Sequence, residues 1–186
     1  MRYFASILLL AGLIAAVPAS AAEEGVRPGI IDVLTARLAV AATPEEAAEI
    51  AAALREVYGE SQSPSAEVLY DQAEVVTAEG DDQAAIYKLT RALVLDEALV
   101  AALVLRGDVR LADGNVDEAF EDAIAAVELA PDYHASLGLL ARAFEAQGRS
   151  ASALATTRQA LEYYPLSVEL SEQLARHQAM ARGAGL

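Results

Sequence analysis

Through the middle of this 186-residue chain the same residues return every 34 positions. Gly80, Gly114 and Gly148 keep that step, as do Ala85, Ala119 and Ala153. Ala92, Ala126 and Ala160 follow it too, with Leu69, Leu103 and Leu137, and Pro131 and Pro165 close the second and third copies. A period of this length holds two helices and a turn, a unit that cannot bury its apolar face alone. Copies must stack, each covering the next, and this confines the chain to an elongated helical array.

Composition agrees with that restriction. The chain is 55% hydrophobic, only 5% aromatic, without Trp and heavily loaded with Ala, the best helix former and small enough for close helix packing. Period-two strand patterns are absent, so the expected class is all-α. The length suits one domain. A net charge of −15 argues against nucleic acid, whose phosphates must be met by Lys and Arg, and against anionic membrane surfaces. It suits a basic partner, or solubility alone. The lack of Cys excludes disulfides and thiolate metal sites without fixing the compartment.

Residues 1–21 read as a Sec signal peptide. Arg2 is a minimal positive start, Tyr3 to Val17 is uncharged and apolar, and Pro18 precedes the small residues Ala19-Ser20-Ala21. The apolar run is short for a membrane span, which needs about 20 residues. Cleavage after Ala21 would remove Arg2 and move the net charge from −15 to −16. The alternative is an uncleaved signal anchor. Residues 22–29, with Glu, Gly and Pro, read as a flexible lead-in.

Residues 30–62 carry a helical hairpin. Ile31, Leu34 and Leu38 share one helical face, and Thr43-Pro44-Glu45-Glu46 restarts the chain with an N-cap, a proline suited to the first turn and a capping-box Glu46. The second helix runs through Ile50, Leu54 and Val57 to a stop at Gly59. One period back from Ala73 and Ala85 lie Ala39 and Ala51, but Glu46 stands in the register of the turn glycine. The expectation is a degenerate repeat that caps the stack.

Residues 63–165 resemble three tetratricopeptide repeats (TPRs). The matches in the first are Leu69, Ala73, Gly80, Ala85 and Ala92, with Glu97 in the register of the terminal proline. The second has Leu103, Gly107, Gly114, Ala119, Ala126 and Pro131, and the third, nearest the pattern, has Leu137, Leu140, Ala141, Phe144, Gly148, Ala153, Ala160 and Pro165. Val76 and Arg110 depart from it where the first helix usually carries an aromatic, as do Leu89, Ala123 and Thr157 on the second. Asn115 with Glu118 looks like a cap for the second helix of its unit. Residues 166–186 add an amphipathic helix to lid the last repeat and a Gly/Ala-rich tail. The resemblance thus implies an α-solenoid of stacked hairpins, of the small exported bacterial type.

In that family the first helices of successive repeats line a concave groove that holds a peptide. The resemblance places Glu67, Tyr70, Asp71 and Glu74 there in the first repeat, Ala101, Val104, Leu105 and Asp108 in the second, and Ala135, Gly138, Leu139 and Arg142 in the third. One subset of the family grips a C-terminal carboxylate with Lys, Arg and Asn in these registers. Only Arg142 could serve here, and Glu67, Glu74 and Asp108 would repel an anion. A groove of acids with an apolar middle suits a partner with a basic and an apolar side chain, although acids on a helix also serve simply as a solvated face.

No reaction chemistry is expected. The run Asp113 to Glu118 fails the calcium-loop pattern, because the registers needing Gly and Glu hold Glu118 and Ile124. His134 and His177 lack a helix-spaced metal-binding partner, and there is no GxSxG elbow, phosphate-cradling Gly loop or Cys nucleophile. Catalytic, cofactor and metal residues are therefore none. The expected function is a non-enzymatic protein-binding adaptor in the cell envelope, most simply the periplasm of a Gram-negative bacterium, with secretion as an alternative. Nucleic acid is not an expected partner, nor is the membrane once the leader is removed. A second expectation is self-association through exposed stack ends or the groove.

Overall fold

The computed structural model describes residues 26–183, and every regular element among them is an α-helix. The expected leader lies outside the described residues. Nine helices follow in chain order: α1 (Val26–Ala39), α2 (Pro44–Gly59), α3 (Pro64–Ala78), α4 (Asp82–Leu95), α5 (Val100–Ala112), α6 (Val116–Leu129), α7 (His134–Ala146), α8 (Ser150–Tyr163) and α9 (Val168–Gly183). The first begins at Val26, inside the stretch expected to be a flexible lead-in. Pro28 falls in its first turn, where the missing N–H has no helical partner to lose.

The helix ends follow from local chemistry. Gly80, Gly114 and Gly148 have φ of +82°, +83° and +72°, the left-handed region that glycine enters without a Cβ penalty. Behind each, the next residue's N–H returns to a carbonyl five back (Asp81 to Val76 at 2.9 Å, Asn115 to Arg110 at 2.8 Å, Arg149 to Phe144 at 2.8 Å), which satisfies an orphan carbonyl of the ending helix. Thr43 and Asp81 cap α2 and α4, accepting from Glu46 N at 3.2 Å and Ala84 N at 3.0 Å. Asn115 departs from expectation. It stands at the N-cap of α6 but makes no capping bond, because its amide turns to Asp113 Oδ2 at 2.9 Å.

Helices α3 to α8 form three hairpins packed in series, and α9 covers α8 as a lid. The first helices α3, α5 and α7 pack directly on one another, so they form the inner layer of the curved stack. The approach is closest at Gly107, where a Cβ would fall 2.6 Å from Leu139 Cδ2. Arg110, standing where an aromatic usually sits, is used electrostatically. Asp122, 3% exposed, accepts from Arg110 at 2.7 Å and from two nitrogens of Arg106 at 3.0 and 2.6 Å, while Arg106 also donates to Thr90 at 3.1 Å. This ties α4, α5 and α6 together.

The N-terminal hairpin is present, but it does not cap the stack. Helix α2 packs against α5, and α1 packs against α2 and α8. Leu38, Ala47, Ile50 and Leu54, each 1% exposed or less, join one core cluster with Tyr70, Val100, Ala101 and Tyr133. The hairpin thus lies across the stack instead of extending it, and the reason is visible in the register. Serial stacking would put Arg55 where Leu89, Ala123 and Thr157 sit, and those three are fully buried. An unpaired guanidinium cannot take such a place. The apolar stripe of α2 runs through Ala47, Ile50 and Leu54 and turns the helix onto α5. The linker fixes this course: Ser61 donates its hydroxyl to Asp96, and its N–H goes to Glu67 Oε1 at 2.8 Å.

Candidate partner-binding face

The inner layer repeats its registers every 34 residues, and the fate of each expected groove residue depends on its distance along the helix. Near the starts of the helices the hairpin covers the face. Tyr70 is buried, its hydroxyl donating to Glu74 at 3.1 Å and its ring lying so close to Gly59 that a Cβ there would sit 3.2 Å away. Ala101 is buried in the same cluster, with Val104, Leu105 and Ala135 packed partly against it. Glu67 is occupied in holding the linker. Gly138 and Leu139 are buried, with Leu139 seated over Gly107. Asp71 and Glu74 remain exposed at the margin.

Farther along, the face is open. A depression of about 560 Å³ is lined by Asp108, Leu111 and Ala112 of α5, Arg142, Glu145 and Ala146 of α7, and Glu169 of α9. Arg142 spans it, donating to Asp108 on one side and to Glu169 at 3.0 Å on the other. The one cation expected to be free for a carboxylate is therefore committed to two carboxylates. Desolvation by the surrounding protein raises the Asp108 carboxyl above the ordinary range against the opposing pull of Arg142. Asp71, although exposed, is raised too, by partial desolvation and by the neighbouring charge of Glu67. The floor is apolar through Leu111, Ala112 and Ala146, and the rim is acidic.

Of the twelve expected groove residues, only Asp108 and Arg142 line this depression. The missed positions were within reach of the sequence. Leu111 and Glu145 share one 34-residue step, Ala112 and Ala146 share another, and Glu169 is one step beyond Ala135. Extending the registers by one helical turn and into α9 finds them all.

Both histidines do structural work. His177 is fully buried, with Nδ1 2.8 Å from Thr157 Oγ1 and Nε2 2.9 Å from Glu145, so that one ring joins α7, α8 and α9. His134 lies edge-on to the Tyr133 and Tyr164 rings. Burial pushes its pKa down to about 4, and its Nδ1 has no hydrogen-bond partner among the described residues. The Tyr58 and Tyr133 rings, 4.2 Å apart, join the hairpin to the same spot. Burial raises the phenols of Tyr58, Tyr70 and Tyr133. Among the described residues no three His, Cys, Asp or Glu side chains gather as they would around a metal ion.

No protein-family model and no curated protein matches the chain. Solved structures do. The first TPR domain of Spaghetti (RPAP3), solved with the HSP90 peptide SRMEEVD, superposes with a TM-score of 0.62 at 22% identity, over 65% of this chain and 99% of that one. Two structures of MamA, an RS-1 double mutant and a fragment from Desulfovibrio magneticus RS-1, align at 20% identity over 86% of this chain and 92% of theirs, with TM-scores of 0.56 and 0.55. The fold is that of a tetratricopeptide-repeat solenoid. At these identities the likeness is one of fold, and the side chains facing the groove are this chain's own.

Proposed function

We propose that this solenoid is a non-enzymatic interaction module of the bacterial cell envelope, exported through Sec, that holds a protein or peptide against the open half of its inner face. The observation that carries this reading is the depression between α5, α7 and α9. It has an apolar floor and an acidic rim, and its cation is already paired. Such a surface favours a partner that brings a basic side chain to the rim and an apolar one to the floor. The peptide in the Spaghetti structure is acidic at its C-terminal end. It is the wrong sign for this face, so a carboxylate clamp is not the mode proposed here.

The decisive measurement is capture from native cells with the inner-face acids reversed. Glu74→Lys, Asp108→Lys and Glu169→Lys together should lower recovery of the bound partner by about tenfold or more at physiological salt, as expected when several charge pairs are lost. Unchanged recovery would sink the groove reading. Glu67 is left intact in this test, because it holds the linker. Export has its own check. Mass spectrometry of natively produced protein should find an N-terminus near Ala22, and an intact Met1 in the membrane fraction would contradict cleavage.

A further inference from the structure

We infer that the open head of the stack, the outward face of α3, pairs with the same face of a second copy of this chain. In the second and third repeats, the positions equivalent to Val68 are Ala102 and Ser136, and those equivalent to Val75 are Val109 and Ala143. All four are buried, 3% exposed or less, under the second helix of the preceding repeat. In the first repeat no helix among the described residues takes that role, because the hairpin lies across the inner face. Val68 and Val75 are 53% and 58% exposed. Two valines seven residues apart on one helical face form a packing seam without its partner.

The occupants available within this fold can be sorted by chemistry. The chain's own hairpin is excluded from serial capping by Arg55, which would land in a fully buried register. The tail of another copy offers Val168 and Met180 on the exposed side of α9, but they are interrupted by Ser171, Glu172 and Arg176, and a head-to-tail contact of this kind would run on into open-ended oligomers. The head face itself is complementary to its own image. An antiparallel pairing of two α3 helices about Asp71 and Gln72 sets Val68 against Val75 of the second copy in both directions. It also sets Glu79 opposite the N-terminal turn of the other α3, where the helix dipole favours an anion. Cations flank the seam. Lys88 on α4 donates to Gln72 of α3 at 2.8 Å, and Arg91 lies one turn along α4. On a chain of net charge −15, Lys88 and Arg91 bring cations to a seam that Asp71, exposed beside the two-fold, and its image would otherwise leave acidic. A two-fold contact of this kind closes on itself and stops at a dimer.

The sequence supplies a clean test, because Lys88 is the sole lysine of the chain. The mature protein should run at twice the monomer mass in light scattering at micromolar concentration. A homobifunctional amine crosslinker should join Lys88 of one copy to Lys88 of the other. Val68→Glu with Val75→Glu should return the protein to a monomer and abolish that link, with an unchanged helical circular dichroism signal. Val40→Glu, at an exposed site on the hairpin, should leave the dimer intact. A concentration-independent monomer would overturn the proposal. So would a dimer that survives the double substitution, or open-ended oligomers without a Lys88–Lys88 link.

Discussion

At the residue scale, His134 shows how a stack with little aromatic content still creates a pH-sensitive point. The ring is enclosed by Tyr133 and Tyr164, and burial holds its pKa near 4, below the ordinary 6.5. The unfolded chain therefore takes up this proton before the folded one does. The stabilisation is intact above about pH 6.5 and is lost as pH falls toward 4, by about 3 kcal/mol at about 1.36 kcal/mol per pH unit. Denaturant unfolding at pH 7, 5.5 and 4 should show that loss, and His134→Phe should remove most of it relative to the parent. Because Nδ1 has no partner, the substitution should cost little at pH 7. Parallel pH profiles for the two proteins would rule out His134 as the source.

At the scale of elements, some features were legible and others were not, for physical reasons. The turn glycines and small helix residues announced the repeats because backbone conformation and close approach restrict those sites to few residue types. Gly107 under Leu139 is such a case. The groove was harder to read, since some of its residues face solvent, which does not restrict side-chain type, and the others face a hairpin whose course the repeat registers do not set. The hairpin's misplacement was readable in one residue, Arg55, whose register demands burial. Yet Ala39 and Ala51 kept the repeat's spacing and masked the conflict. Of the Arg106–Asp122–Arg110 cluster only Arg110 stood out in the sequence, as a departure from an aromatic pattern with no visible partner. In the third repeat the same registers hold Leu140, Phe144 and Thr156, an apolar solution to the same contact. Asp122→Ala should strand two largely buried guanidinium groups and cost about 3–5 kcal/mol in urea unfolding. Installing the third repeat's residues (Arg106→Leu, Arg110→Phe, Asp122→Thr) should recover most of that loss. Equal destabilisation by the single and triple changes would show that the charges themselves are indispensable.

At the scale of the molecule, the hairpin changes how the solenoid unfolds. In a simple stack each repeat touches only its neighbours, so ends fray and cooperativity is local. Here residues 26–59 bridge all three repeats: Gly59 meets Tyr70 of the first, α2 packs on α5 of the second, and Tyr58 stacks on Tyr133 while α1 reaches α8 of the third. The bridge should couple the repeats into one transition. Tyrosine fluorescence reports it selectively, because Tyr58, Tyr70, Tyr133 and Tyr164 cluster where the hairpin docks. Far-UV circular dichroism reports all the helices. In the parent protein the two signals should change together with urea, the mark of two-state behaviour. Ile50→Glu places a carboxylate in the fully buried hairpin core and should detach it at a cost of several kcal/mol. The tyrosine transition should then move to lower urea while most of the helical signal persists, and amide exchange should accelerate in α1 and α2 before α7 and α8. Coincident transitions in the variant would mean that the stack coheres without its bridge, and the hairpin would then be an appendage.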